Sequence, residues 1–292
     1  MRLRGVAAAL TPFLACGSLA ATAASAATPP PKQITFLSHG VVSSHNTVSK
    51  PHGKPKGWVV IIHGGGWQLV GRKVMASENS TVRYVTSLGW AADNIDYRKA
   101  EHSLPDVLAT YDALRHRVGA ATPICLLGHS AGGNLALLAA ELRPSVACVI
   151  SGAGPTDLVH LADQHAYDPK GLLHAIVSPL WTFLTYVVPS FGTNVSVLRQ
   201  WSPIAHAGRL DARVLLGSST HDPLVPQHQM AELRHAMKAD DASGTVKTVL
   251  LAGADTPKGR SPNFPHASIT KPALARWQRD ERRLLRSVAS AA

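Results

Sequence analysis

The run Leu126-Leu127-Gly128-His129-Ser130-Ala131-Gly132-Gly133 constrains the fold of this chain more than any other stretch. A short apolar run, Ile124 to Leu127, ends abruptly in G-x-S-x-G. Apolar residues then recur at helical spacing, Leu135, Leu138, Ala139 and Leu142, until Pro144. Strand, sharp turn and helix therefore follow one another without a loop. Small residues on either side of a serine let the backbone turn that tightly, so Gly128 and Gly132 have steric jobs. Ser130 is lifted clear of the sheet at a helix N-terminus, where the dipole favours developing negative charge. In a chain with 23 glycines the motif also arises by chance as a glycine-rich turn, so its weight depends on what accompanies it.

A chain of 292 residues, 45% hydrophobic and 16% charged, can bury a full core as one domain. Residues 1–26 read as a signal peptide: Arg2 and Arg4, an uncharged Ala/Leu-rich run, then Ala24-Ser25-Ala26 with the small-x-small form of a cleavage site. Export to the periplasm or the medium is expected, without stable membrane insertion after cleavage. The alternatives are an uncleaved membrane anchor and a lipoprotein acylated at Cys16. Cys125 and Cys148 each lie in an apolar run and are expected as buried thiols rather than a disulfide, because a core this large needs no staple. The net charge of +11 is scattered, which fits a soluble basic protein with at most weak attraction to anionic surfaces. No nucleic-acid motif is present, and no Cys, His, Asp or Glu cluster has metal spacing, so no metal is expected.

Residues 27–56 form a proline-rich connector with a candidate early strand from Ile34 to Val42, and residues 57–292 form the main domain. Trp58-Val59-Val60-Ile61-Ile62 is the continuous apolar run of a strand buried on both faces. Helices are expected over Lys73 to Leu88 and Pro105 to Val118, with strands over Trp90 to Tyr97, Ile124 to Leu127 and Val146 to Ile150. Such alternation indicates an α/β fold: a mostly parallel central sheet with helices on both faces and ligands at the C-terminal strand ends. Over residues 155–205 the alternation breaks into an irregular apolar stretch, expected as an inserted cap. Strands at Arg213 to Gly217 and Thr245 to Leu251, a helix at Gln227 to Lys238 and a basic amphipathic helix from about Ser268 complete the pattern.

A serine placed like Ser130 is a candidate nucleophile for acyl transfer, which also needs a base, an acid to orient it and donors for the oxyanion. Asp222 follows the Arg213 to Gly217 strand and is the preferred acid over Asp157 and Asp255. His266, in the loop between the last strand and the last helix, is the preferred base over His228 and His235. Gly64, Gly65 and Gly66 follow the Trp58 to Ile62 strand, and the backbone N–H groups of Gly65, Gly66 and Ala131 are the expected oxyanion donors. His63 is expected to anchor that loop by hydrogen bonding. Trp67, Trp181 and Phe183, with Tyr186 and Trp201, are candidate pocket residues that read equally well as packing.

Taken in order, HGGGW, Asp96-Tyr97-Arg98 with Leu104-Pro105-Asp106 and Asp112, GHSAGG, Asp222-Pro223-Leu224-Val225-Pro226 and a late histidine resemble the α/β-hydrolase carboxylesterases of the hormone-sensitive-lipase and acetylxylan-esterase-like type. The resemblance spans about Trp58 to His266. It implies cofactor-independent hydrolysis of small-molecule carboxylic esters through an acyl-serine, with Ser130 as nucleophile, His266 as general base and acid, and Asp222 as orienter. Two departures stand out: Asp93 and Asn94 interrupt a strand that is usually apolar, and the loop from Thr256 to Pro265 is long. An amidase or peptidase of the same fold, related to prolyl oligopeptidases or kynurenine formamidases, shares the triad. A non-catalytic binding protein on this scaffold would lack a triad part.

Overall fold

The computed structural model describes residues 39–161, 183–253, 266 and 269–292. Its strands are β1 (Thr47–Ser49), β2 (Trp58–Ile62), β3 (Ala91–Ile95), β4 (Ile124–His129), β5 (Cys148–Gly152), β6 (Arg213–Ser219) and β7 (Val246–Leu251). They form one sheet in the order β1-β3-β2-β4-β5-β6-β7. Only the edge strand β1 runs antiparallel, against β3; the other pairings are parallel. The helices are α1 (Arg72–Met75), α2 (Asn79–Ser87), α3 (Ser103–Val118), α4 (Ala131–Leu142), α5 (Val188–Phe191), α6 (Val195–Gln200), α7 (His228–Ala239) and α8 (Lys271–Ala289).

Side-chain alternation along each strand divides the core into two layers. Val60, Ile62, Leu126 and Leu216 point to the face covered by α3, α4 and α7, where Leu104, Leu135 and Leu233 meet them. Val59, Ile61, Leu127 and Ile150 point to the opposite face, where α2 supplies Val85 and α8 supplies Trp277, Leu285 and Val288. This is why β2, β4 and β5 read as continuous apolar runs: both of their faces are buried. The C-terminal helix owes its amphipathic pattern to the second layer, into which it drives Trp277. Among the described residues no helix is long and apolar enough to cross a membrane.

Three expectations need correction. Cys125 and Cys148 form a disulfide rather than two thiols. They are direct register partners on adjacent parallel strands, on the same face, with Cα atoms 4.5 Å apart. The described part of the candidate early strand, residues 39–42, is not strand; β1 lies instead at 47–49, in a stretch that reads as polar because an edge strand is half exposed. The helix expected over Lys73 to Leu88 is interrupted: a 3-10 turn, Ala76–Glu78, separates α1 from α2. The signal segment, Trp181 and Asp255 lie outside the described residues.

Candidate active site

Ser130 stands between β4 and α4 with φ 54° and ψ −126°, a conformation non-glycine residues rarely adopt. Holding it costs about 1–3 kcal/mol, so it persists only where neighbours fix it. The Ser130 N–H donates to Gly152 O at 2.9 Å, and Ser130 O accepts from Gly133 N and Asn134 N at 2.9 and 3.2 Å. Gly132 passes so close to the carbonyl oxygens of Ile62 and His63 that a Cβ there would overlap both. The elbow is thus pressed against the end of β2, where the glycine loop starts.

That loop lies against the serine. A Cβ on Gly64 would stand 3.0 Å from His129 O and 3.2 Å from Ser130 Cβ. Gly65 and Gly66 take φ of 122° and 59°, which other residues adopt only under strain. His63 anchors the loop as expected: its Nδ1 is 2.7 Å from Gly64 O and its Nε2 3.3 Å from Asp96 Oδ1, and its ring stacks on Tyr97 at 4.2 Å. Tyr97 donates its hydroxyl proton to His63 O at 2.7 Å.

Asp96 is the hub of this end of the sheet. It accepts from Gly71 N and Tyr97 N at 2.8 and 3.0 Å, and His45 Nδ1 lies 2.7 Å away. Burial opposes its charge, but the Gly71 N–H and the two imidazoles outweigh burial and hold the carboxyl below the usual range. Asp106 clamps Arg98 through both carboxylate oxygens, at 2.7 and 2.9 Å, and takes the Val41 N–H at 2.7 Å. Asp112 pairs with Arg143 at 2.6 Å.

The acid and base candidates separate clearly. Asp222 Oδ1 accepts from Leu224 N and Val225 N at 2.9 and 3.0 Å, which turns Oδ2 toward His266 Nδ1, 3.1 Å away. Asp157 is committed elsewhere: it accepts from Val159 N and His160 N at 2.9 and 3.1 Å and faces His160 Nδ1 at 2.7 Å. His228 lies 4.0 Å from Glu232 on the outside of α7. Of the base candidates, His266 is the one seen to present its Nδ1 to a buried carboxylate, that of Asp222.

Residues 186–191 pack against the glycine loop. Tyr186 lies on Gly66, leaving no room for a Cβ there, and Gln68 Nε2 donates to Ser190 Oγ at 2.8 Å. Trp67 is 1% exposed and meets Phe191 edge-on at 5.3 Å, and Phe191 stacks on Trp201 at 4.2 Å. Trp67 and Trp201 are therefore packing residues. The backbone of Phe183 lies in a π-helical turn, Phe183–Val187. A small cavity beside the ends of β5 and β6, lined by Ser151, Thr156, Ser218, Val225 and Gln229, takes in neither Ser130 nor His266. Among the described residues no group of three or more His, Cys, Asp or Glu could hold a metal ion.

Sequence reasoning missed a buried ionic group behind the elbow. His129 Nδ1 lies 3.3 Å from Glu78, and Glu281 of α8 faces the same imidazole. The histidine within the motif was the available signal; nothing in the sequence marks Glu78 or Glu281 as its neighbours.

The model of the family described as BD-FAE matches residues 48–237. No curated protein sequence matches the chain. A truncated carbohydrate esterase from gut microbiota shares the fold at TM-score 0.59 and 17% identity, over 84% of this chain and 90% of that one. A hormone-sensitive lipase from a metagenome library does so at TM-score 0.61 and 16% identity, over 88% of each chain. A puromycin hydrolase matches at TM-score 0.60 and 20% identity, over 83% of this chain but 37% of its own.

Proposed function

The chain belongs to the BD-FAE family and is a carboxylic ester hydrolase of the α/β-hydrolase fold, and from that premise we propose an exported esterase that cleaves small or medium esters through an acyl-serine at Ser130. One observation carries the assignment of roles: Asp222 directs its free oxygen at His266 Nδ1, 3.1 Å away, in a chain whose G-x-S-x-G serine stands in a strained elbow beside a glycine loop.

In this reading His266 Nε2 takes the Ser130 hydroxyl proton as Oγ attacks the ester carbonyl carbon. The carbonyl oxygen becomes an oxyanion, held by the N–H groups of Gly65, Gly66 and Ala131. Each such donor contributes about 3 kcal/mol to the transition state. The C–O bond to the alcohol then breaks, and the leaving oxygen takes its proton from His266. Water, deprotonated by the same imidazole, attacks the acyl carbon; the bond to Ser130 Oγ breaks, the acid is released, and Oγ takes back its proton from His266. Asp222 holds the His266 tautomer and stabilises the imidazolium. The described ends of the inserted stretch, residues 155–161 and 183–205, belong to the cap in this reading, and residues 162–182 lie outside the described residues. Supporting export are the composition of residues 1–26 and the Cys125–Cys148 bridge, since disulfides persist in oxidising compartments.

The test is hydrolysis of p-nitrophenyl esters from acetate to palmitate by the wild type and by Ser130→Ala. A short- or medium-chain optimum that the substitution abolishes is the expected result. Equal activity in both proteins overturns the acyl-serine at Ser130. An optimum at palmitate overturns the substrate size, and faster turnover of the matching anilides moves the activity to an amidase.

A further inference from the structure

Period-two alternation places Cys125, Leu127 and His129 of β4 on one face, toward the layer between the sheet and helices α2 and α8. The first two are apolar there. The third is a histidine only 3% exposed, directly before Ser130. Its Nδ1 stands 3.3 Å from each carboxylate oxygen of Glu78, which is 5% exposed on the 3-10 turn between α1 and α2. Thr81 completes the carboxylate by donating its hydroxyl to Oε2 at 2.9 Å.

We propose that the buried Glu78–His129 pair is a clamp that holds the strained Ser130 elbow in its reactive geometry, so that both are positioning residues for the reaction. This rests on Ser130 as nucleophile. A strained backbone survives where the structure around it over-determines it. On the far side of Ser130, helix α4 does this through Ser130 O. On the near side the Ser130 N–H is tied to Gly152 O, and the preceding side chain is tied to Glu78. Two apolar side chains would fill that layer without the desolvation that ions suffer, so stability does not explain the pair. What an ion pair adds is direction: it fixes the ring, and through the ring the last peptide before the serine.

The surrounding charges agree. Burial opposes ionisation of both groups, but each is the other's counter-charge. The His129 charge and hydrogen bond hold Glu78 below the usual carboxylate range, and Glu78 holds the His129 imidazolium above its own. Glu281 faces His129 from α8, His63 lies within the field of Glu78, and Tyr84 and Arg282 border the layer beside Glu281.

The experiment compares full-length Glu78→Gln, His129→Asn, their combination and Glu78→Leu/His129→Leu with the wild type. It reads kcat and KM on a p-nitrophenyl ester per titrated active site, and the rate of Ser130 phosphonylation by a fluorophosphonate. A clamp predicts that each single change lowers kcat and phosphonylation together, by about tenfold to a hundredfold, with KM within about twofold. The combined variant loses no more than either single one, because both break the same contact. The leucine pair restores packing and so folds, but stays slow. Wild-type kcat in the folded leucine pair, or losses that multiply in the combined variant, would overturn the clamp. Labelling of a residue other than Ser130, by contrast, would sink the nucleophile assignment itself.

Discussion

His266 Nδ1 and Asp222 Oδ2 stand 3.1 Å apart, and the second oxygen of Asp222 is held by the N–H groups of Leu224 and Val225. The turn therefore aims the carboxylate before any substrate arrives. Asp222→Asn keeps the shape but offers the wrong hydrogen-bonding partner, and kcat on p-nitrophenyl acetate is expected to fall by about 10³ to 10⁴. Asp157→Asn, whose carboxylate among the described residues serves its own turn and His160, should leave kcat within about threefold. Equal losses from the two substitutions would remove the distinction between them.

Much of this was legible because burial writes itself into sequence. β2, β4 and β5 are apolar throughout, and the serine turn, the glycine loop and the Asp222 turn follow three of the strand ends. Pairing is not written that way. The register that sets Cys125 beside Cys148 depends on how two strands lie in space, and each cysteine alone looks like any buried thiol. Asp93 and Asn94 looked out of place on β3 for a related reason. Arg117, 3.8 Å away, faces the first, and Met75 O accepts from the second at 3.1 Å, partners 24 and 19 residues distant in the chain. Glu78, His129 and Glu281 come from three separate elements, and only the fold assembles them.

The glycines of the elbow act through space rather than through backbone angle. Gly132→Ala drives a methyl group into the carbonyl oxygens of Ile62 and His63, which are backbone atoms and cannot rotate away. The cost is expected at about 1–3 kcal/mol or more, with Ser130 displaced and activity largely lost. Gly119, with φ 79° and nothing within 4 Å of an added Cβ, makes the control. Gly119→Ala meets only backbone strain, about 1–3 kcal/mol, and keeps wild-type kcat. Thermal denaturation and kcat on the same preparations check both.

The disulfide lies at the opposite ends of β4 and β5 from Ser130, since Cys125 and Cys148 are among the first residues of their strands. Its loss should therefore be felt in stability and not in turnover. A separation of 23 residues corresponds to a chain-entropy effect of about 3 kcal/mol, which for a chain this long lowers Tm by roughly 5–10 °C. Cys125→Ala/Cys148→Ala is expected to show that fall with kcat at 25 °C unchanged. Peptide mapping without reductant should recover the two cysteines on one linked fragment.

Glu281 gives the stability a pH dependence whose sign can be worked out. Burial pushes its carboxyl up to about 8; His129 and Trp277 pull it back only part of the way, and Oε2 meets no hydrogen-bond partner among the described residues. Between the ordinary glutamate range and about pH 8 the folded protein keeps a proton that the unfolded chain releases. Stability from this group is therefore complete below about pH 4.5 and declines as pH rises, until it is gone above about 8. Glu281→Gln keeps a neutral group of the same shape that cannot ionise. Near pH 5 its Tm should match the wild type within a few degrees, whereas at pH 8.5 it should be the higher of the two. Parallel Tm curves for the two proteins from pH 5 to pH 8.5 would mean that Glu281 is ionised in the folded state throughout, and that the layer behind the elbow holds two carboxylates against one imidazolium.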